Sequence, residues 1–155
     1  MYLRIIRAGV LVFLSVVMGI LSCSKDDSVV VPGNLTQTEI EGNVQSETWR
    51  ISLFIDSGVD ETKDFAGYKF IFNANGVLDT GNGVIEHQGA WSITDSNSAD
   101  DSQDDLDFNI HFDLTNDFED LNDDWDFISY SATKIELFDI SGGSGDVDIL
   151  TFEKN

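Results

Sequence analysis

The chain has 155 residues, of which 29 are acidic and 8 are basic, so its formal net charge is −21 at pH 7. Binding a phosphate backbone requires Lys and Arg side chains that displace counterions, and residues 71–133 contain neither. This composition excludes nucleic acid as a partner and favours divalent cations or a basic protein surface.

The first 22 residues have the pattern of a lipoprotein signal peptide. Arg4 and Arg7 precede an apolar run over residues 8–21, which is too short for a membrane span of about 20 residues. Cys23 follows the run and is the single cysteine, so it cannot form an internal disulfide. We predict that residues 1–22 are removed and that Cys23 is acylated, which holds the protein on the membrane through its acyl chains.

The residues after Cys23 predict an export signal and a tether. Lys25, Asp26 and Asp27 follow Ser24, and this stretch resembles lipoproteins of Bacteroidota, in which such residues direct export to the cell surface. The resemblance implies an outer-membrane protein that faces the exterior; a plain solvated tether is the alternative. We assign residues 23–44 to the acylated cysteine and a flexible tether, because the segment from Ser24 to about Gln37 is polar and lacks sustained periodicity.

Residues 45–155 are predicted to form one β domain. The clearest signal is the strict alternation of apolar and polar residues from Leu106 to Leu114, which is typical of a half-buried strand. Asn75-Gly76 predicts a tight hairpin turn, and the connections are too short for crossover helices. The predicted strands are 49–55, 68–72, 77–79, 84–93, 106–114, 125–129, 135–140 and 147–152.

These strands predict an all-β fold, a single antiparallel up-and-down meander of about eight strands. Such a meander has open edges unless it closes, so we expect a small barrel or a strongly curved half-barrel. A helical turn at residues 118–121, with apolar Phe118 and Leu121, is expected to plug one end. An immunoglobulin-like sandwich is the alternative architecture.

The order of aromatic and glycine motifs in this domain resembles the lipocalin-like lipoproteins of Bacteroidota. The resemblance covers roughly residues 45–155 and implies a lipocalin-like β-barrel. It brings little function, since that group is mostly without assigned activity. The motifs are Trp49, Gly67 to Phe72 with Asn75-Gly76, Gly89-Ala90-Trp91, Leu121 to Trp125 and Leu150-Thr151-Phe152.

Two acidic runs, Asp95 to Asp107 and Asp117 to Asp126, are the strongest candidate for a binding site. Calcium takes six to eight oxygen ligands from such side chains, although the spacing does not fit an EF-hand. A solvated acidic surface is the alternative reading. The candidate calcium ligands are Asp100, Asp101, Asp104 and Asp105.

We find no residue pattern that predicts an enzyme or a cofactor. His87 and His111 are the only histidines, fit no metal-binding spacing and are expected to face solvent. Nine aromatic residues could line a ligand cavity or fill the barrel, and a domain of this size favours filling. They are Trp49, Tyr68, Phe70, Phe72, Trp91, Phe108, Phe112, Trp125 and Phe127.

The sequence thus predicts a monomeric, lipid-anchored, surface-exposed outer-membrane lipoprotein that acts as a non-enzymatic binding or interaction module. Two alternatives stay open. One is a lipocalin-type carrier with a small hydrophobic ligand in its barrel. The other is an acidic calcium-binding envelope protein.

Overall fold

A computed structural model describes residues 36–95, 106–140 and 145–155. Two short 3₁₀ helices, Thr62–Phe65 and Glu119–Leu121, complete a mainly β structure. The other elements, in chain order, are α1 Gln37–Val44, β1 Trp49–Asp56, β2 Val59–Asp60, β3 Lys69–Phe72, β4 Val77–Gly81, β5 Glu86–Asp95, β6 Leu106–His111, β7 Asp123–Tyr130, β8 Lys134–Ile140 and β9 Val147–Lys154.

The strands form one antiparallel sheet that closes on itself. From β3 to β9 each strand pairs with its neighbours in sequence, and β1 pairs with both β3 and β9. The two-residue β2 pairs only with the end of β1. The predicted all-β meander is therefore confirmed, and the β1–β9 pairing makes it a closed barrel of eight principal strands.

Alternate residues of each strand fill the barrel, as the period of two in the sequence requires. In β3, Phe70 and Phe72 are buried while the residues between and before them are exposed. The ring of Phe72 lies 5.4 Å from that of Phe108 and 5.5 Å from that of Phe152, both in edge-on geometry. Of the nine aromatic residues named from the sequence, seven are buried, and Tyr68 and Phe127 pack partly buried against the same core.

Helix α1 covers one end of the barrel, which we call the α1 end. A capping box between Thr36 and Glu39 starts the helix, and Ile40 and Val44 are fully buried. The indole Nε1 of Trp49 donates a 2.9 Å hydrogen bond to the Val44 carbonyl. The predicted tether, residues 23–44, therefore extends too far, because residues 37–44 belong to the folded domain.

Aromatic side chains close the opposite end of the barrel, which we call the far end. Phe118 and Leu121 are buried at the predicted turn, and this part of the prediction is confirmed. The Phe118 ring lies 5.3 Å from Phe65, which comes from the first 3₁₀ helix, and 5.2 Å from Phe112. Both ends of the barrel are thus covered by side chains.

Most strand boundaries differ from the sequence prediction by one to three residues. The strand predicted from residue 84 begins at Glu86, and the strand predicted to residue 114 ends at His111. The second difference has a clear cause, because the side chain of Asn122 accepts a hydrogen bond from the Phe112 amide and donates one to the Phe112 carbonyl. The Asn122 side chain thus takes the place of the backbone hydrogen bonds that the next residue pair of β6 and β7 would make.

Among the residues that the structure describes, no helix has the length and apolar character to cross a bilayer. Residues 1–22, the predicted signal peptide, lie outside the described ranges.

The contribution of α1 to the domain can be measured with two substitutions in this helix. Ile40→Ala should lower the free energy of unfolding by about 2–4 kcal/mol, because it leaves a cavity in the core. Gly42→Ala should raise it by up to about 1 kcal/mol, because Gly42 is helical and a Cβ there meets no atom within 4 Å. Urea unfolding followed by tryptophan fluorescence checks both, and an unchanged midpoint for Ile40→Ala would contradict the packing of α1.

Candidate functional site

Carboxylates from several strand ends converge at the far end of the barrel. Asp56 is the last residue of β1, Glu61 precedes the first 3₁₀ helix, and Asp120 lies in the second. One carboxylate oxygen of each lies within 4.8 Å of those of the other two. We call Asp56, Glu61 and Asp120 the far-end triad.

The triad is electrostatically unfavourable when all its members are ionised. Partial desolvation raises the pKa of Glu61, and the neighbouring Asp56 and Asp120 carboxylates raise it further. Desolvation also raises the pKa of Asp120, followed by repulsion from Asp56 and Asp117. A proton, a metal cation or a basic side chain from another protein would relieve this repulsion.

A second group of carboxylates lies on β7 and β8: Asp123, Asp124, Asp126 and Asp139. Desolvation raises the pKa of Asp123 to about 6, the Asp124 backbone amide opposes this with a 2.9 Å hydrogen bond, and repulsion from Asp139 adds to the rise. Desolvation and then the charges of Asp139 and Asp124 also raise the pKa of Asp126. Strands β7 and β8 therefore carry a second group of mutually repelling acids.

Most site residues predicted from the sequence lie outside the described ranges. This is true of Cys23, with Lys25, Asp26 and Asp27, so acylation and export remain predictions. The proposed calcium ligands also lie outside these ranges: Asp100, Asp101, Asp104 and Asp105.

The two histidines have different environments. His111 is exposed on β6, as predicted. The prediction for His87 is wrong, because its ring packs 4.7 Å from Phe118 and 6.3 Å from Tyr68, between aromatic side chains at the far end. The reason is register: His87 shares the inward-facing set of β5 with Trp91, four residues later.

Sequence analysis did not assign Asp56, Glu61 or Asp139 to a site. Asp56 is 64 residues from Asp120, and only the topology brings them together. The predicted meander could have indicated this cluster. In an up-and-down sheet the end of one principal strand and the start of the next lie at the same end of the barrel, so acids at every second connection are candidates for a cluster.

Comparison of the chain with protein-family models, with curated proteins and with solved structures gives no match. The closed antiparallel barrel is consistent with a lipocalin-like fold.

Asp123→Asn should raise the melting temperature by about 2–5 °C at pH 7.5 and change it little at pH 4. The pKa of Asp123 in the folded protein, about 6, lies above its ordinary value of 3.8, so the folded state binds this proton more tightly. Stability therefore falls as pH rises from about 4 to 6, and asparagine removes that loss. Thermal unfolding followed by circular dichroism at both pH values measures the effect.

The control for this experiment is Asp113→Asn, which removes the same charge from an exposed residue. It should give a smaller gain at pH 7.5. A gain for Asp123→Asn at pH 4 that equals or exceeds the gain at pH 7.5 would contradict the electrostatic explanation.

Proposed function

We propose that this chain is a lipocalin-like lipoprotein of the kind found in Bacteroidota, lipid-anchored at Cys23 on the outer membrane and facing the cell exterior. It acts there as a non-enzymatic binding or interaction module that uses its outer surface. The observation that carries the choice of the outer surface is the packing of the barrel with side chains from every principal strand; the anchor and its location rest on the sequence pattern around Cys23.

The packed core favours an outer-surface module over a carrier. A pocket for a drug-sized ligand needs about 300 Å³ or more. In this barrel Phe70, Phe108 and Phe152 are fully buried in the core. Helix α1 covers one end of the barrel, and Phe118 covers the other. A hydrophobic ligand in the lumen would have to displace these aromatic rings, whereas a ligand on the outside displaces only water.

The point of attachment supports an outward orientation of the far end. Twelve residues, 24–35, separate Cys23 from Thr36, which enters the domain at the α1 end. The tether predicted for this stretch from its sequence has an expected span of about 20 Å. The far end and its carboxylates would then face away from the bilayer, whose anionic headgroups repel an acidic protein. A basic protein surface is the partner that this arrangement favours.

Cys23→Ser should abolish partitioning of the mature protein into a detergent phase, because acyl chains on Cys23 are the proposed membrane anchor. Phase separation of whole-cell extracts followed by immunoblotting measures this. A serine variant that still enters the detergent phase would show that the anchor is elsewhere.

Replacing Lys25, Asp26 and Asp27 together by alanine should leave detergent partitioning intact but protect the protein from protease added to whole cells. The physical change is confined to the residues beside the anchor, so acylation at Cys23 is retained. The matched control replaces Ser28, Gly33 and Asn34 by alanine, farther along the same segment. Equal digestion of the variant and the control would remove the surface-export part of the proposal.

Calcium binding is the second candidate function, and the spacing of the far-end triad favours testing it. Three bidentate carboxylates supply six oxygens, the lower limit for calcium, but Asp120 is exposed. We expect calorimetry at physiological salt to show weak heats that monovalent salt reproduces. Saturable binding that is lost in Asp56→Asn/Glu61→Gln/Asp120→Asn, or when Asp100, Asp101, Asp104 and Asp105 become asparagine, would make calcium binding the preferred function.

A further inference from the structure

The barrel is loosely joined at one place, between β1 and β3. These strands pair at a single position, Trp49 opposite Phe70, whereas β3 pairs with β4 from Lys69 to Phe72. Residues 57–68 cause the separation, because they occupy the edge of β1. The Phe54 amide donates a 2.8 Å hydrogen bond to Thr62 Oγ1, and the Glu61 amide donates a 3.0 Å bond to the Phe54 carbonyl.

The separation leaves a groove of about 500 Å³, which we call the seam groove. Its lining includes three cationic side chains, Arg50, Lys63 and Lys69, and three hydroxyl-bearing residues, Ser52, Thr62 and Tyr68. This volume lies within the range of about 300–1,000 Å³ that is typical of small-molecule sites.

Cations are concentrated at this groove in an otherwise acidic domain. Residues 36–155 contain five Lys and Arg residues, three of which line the seam groove. The wall formed by β4 to β7 carries none, since residues 71–133 lack both types. Beyond the Debye length, about 8 Å at physiological salt, the charges of that wall are largely screened. The charges beside the groove therefore decide which ligand it accepts, and these are the three cations together with the Glu153 and Asp64 carboxylates.

These cations are available to a ligand. The Arg50–Glu153 and Lys63–Asp64 ion pairs are open to solvent, with Arg50 and Lys63 side chains 50% and 79% exposed. Such exposed pairs are weak, so a ligand carboxylate can compete with them. Lys69 is exposed, and within residues 36–95, 106–140 and 145–155 no carboxylate lies within ion-pair distance of its Nζ.

We propose that the seam groove binds a small hydroxylated organic acid, with its carboxylate at Lys69 and Arg50. Its hydroxyls would donate to the remaining lone pairs of Ser52 and Thr62, whose own protons bond the Thr151 and Phe54 carbonyls, and would meet the Tyr68 hydroxyl. Charge-assisted hydrogen bonds supply the main attraction, and the neutral hydroxyls distinguish a polyol acid from a bare anion. The site lies on the outside of the barrel, so the core stays packed. This proposal rests on the binding-module function and names its ligand class.

The test is a titration of the purified full chain with D-glucuronate, followed by backbone amide NMR. We expect saturable shifts at residues of the seam groove, with glucose and acetate binding more weakly than glucuronate. Lys69→Gln should weaken glucuronate binding about tenfold, because one charge-assisted hydrogen bond is lost. Lys134→Gln is the matched control, since it removes the same charge from β8, outside the groove, and should leave the affinity unchanged.

The amide spectrum of each variant also reports whether it is folded, so a loss of binding is not confused with a loss of structure. Absence of saturable shifts with glucuronate would overturn the proposal, as would equal weakening by Lys69→Gln and Lys134→Gln. Glucose binding as tightly as glucuronate would also overturn it, because the cations would then have no role. Any of these results leaves the anchored surface module standing, whereas failure of the Cys23→Ser experiment affects the anchor alone.

Discussion

The pairing of β1 with β9 is the contact on which the rest of this structure depends. It runs from Trp49 opposite Lys154 to Ile55 opposite Ile149 and joins the first and last principal strands of the meander. Without it, two strand edges would be open to other chains. It also sets which residues face inward, because a slip of one residue would turn Phe54 and Phe152 to solvent.

The segment between β1 and β3 then decides where the barrel is tight and where it is open. Its residue Phe65 enters the far end and packs against Phe118, which helps to close the lumen. The same segment bonds to the free edge of β1 through Thr62 and so keeps β3 away from that strand. The segment between β1 and β3 therefore helps to pack the interior and also creates a groove on the outer surface.

The meander also sorts charge around the barrel. Because consecutive strands are neighbours, a stretch of sequence without Lys or Arg becomes a continuous wall without cations, formed by β4 to β7. The cations of the folded domain fall on β1, β3, β8 and β9, around the β1–β9 closure, and on the 3₁₀ helix between β1 and β3. The topology also places like charges together at the far end, where Asp56 and Asp120 come from distant parts of the chain.

Local pattern determined most of the secondary structure, because a period of two is set by the strand itself. The alternation after Leu106 follows from this period, whereas the turn at Phe118 was predicted from two apolar residues three positions apart. Three features depended on tertiary contacts: helix α1, the inward position of His87, and the far-end triad. Helix α1 has only two buried residues, Ile40 and Val44, in a polar segment. Predicting any of these features requires knowing which strand ends and which strand faces meet, and the closure of the barrel determines both.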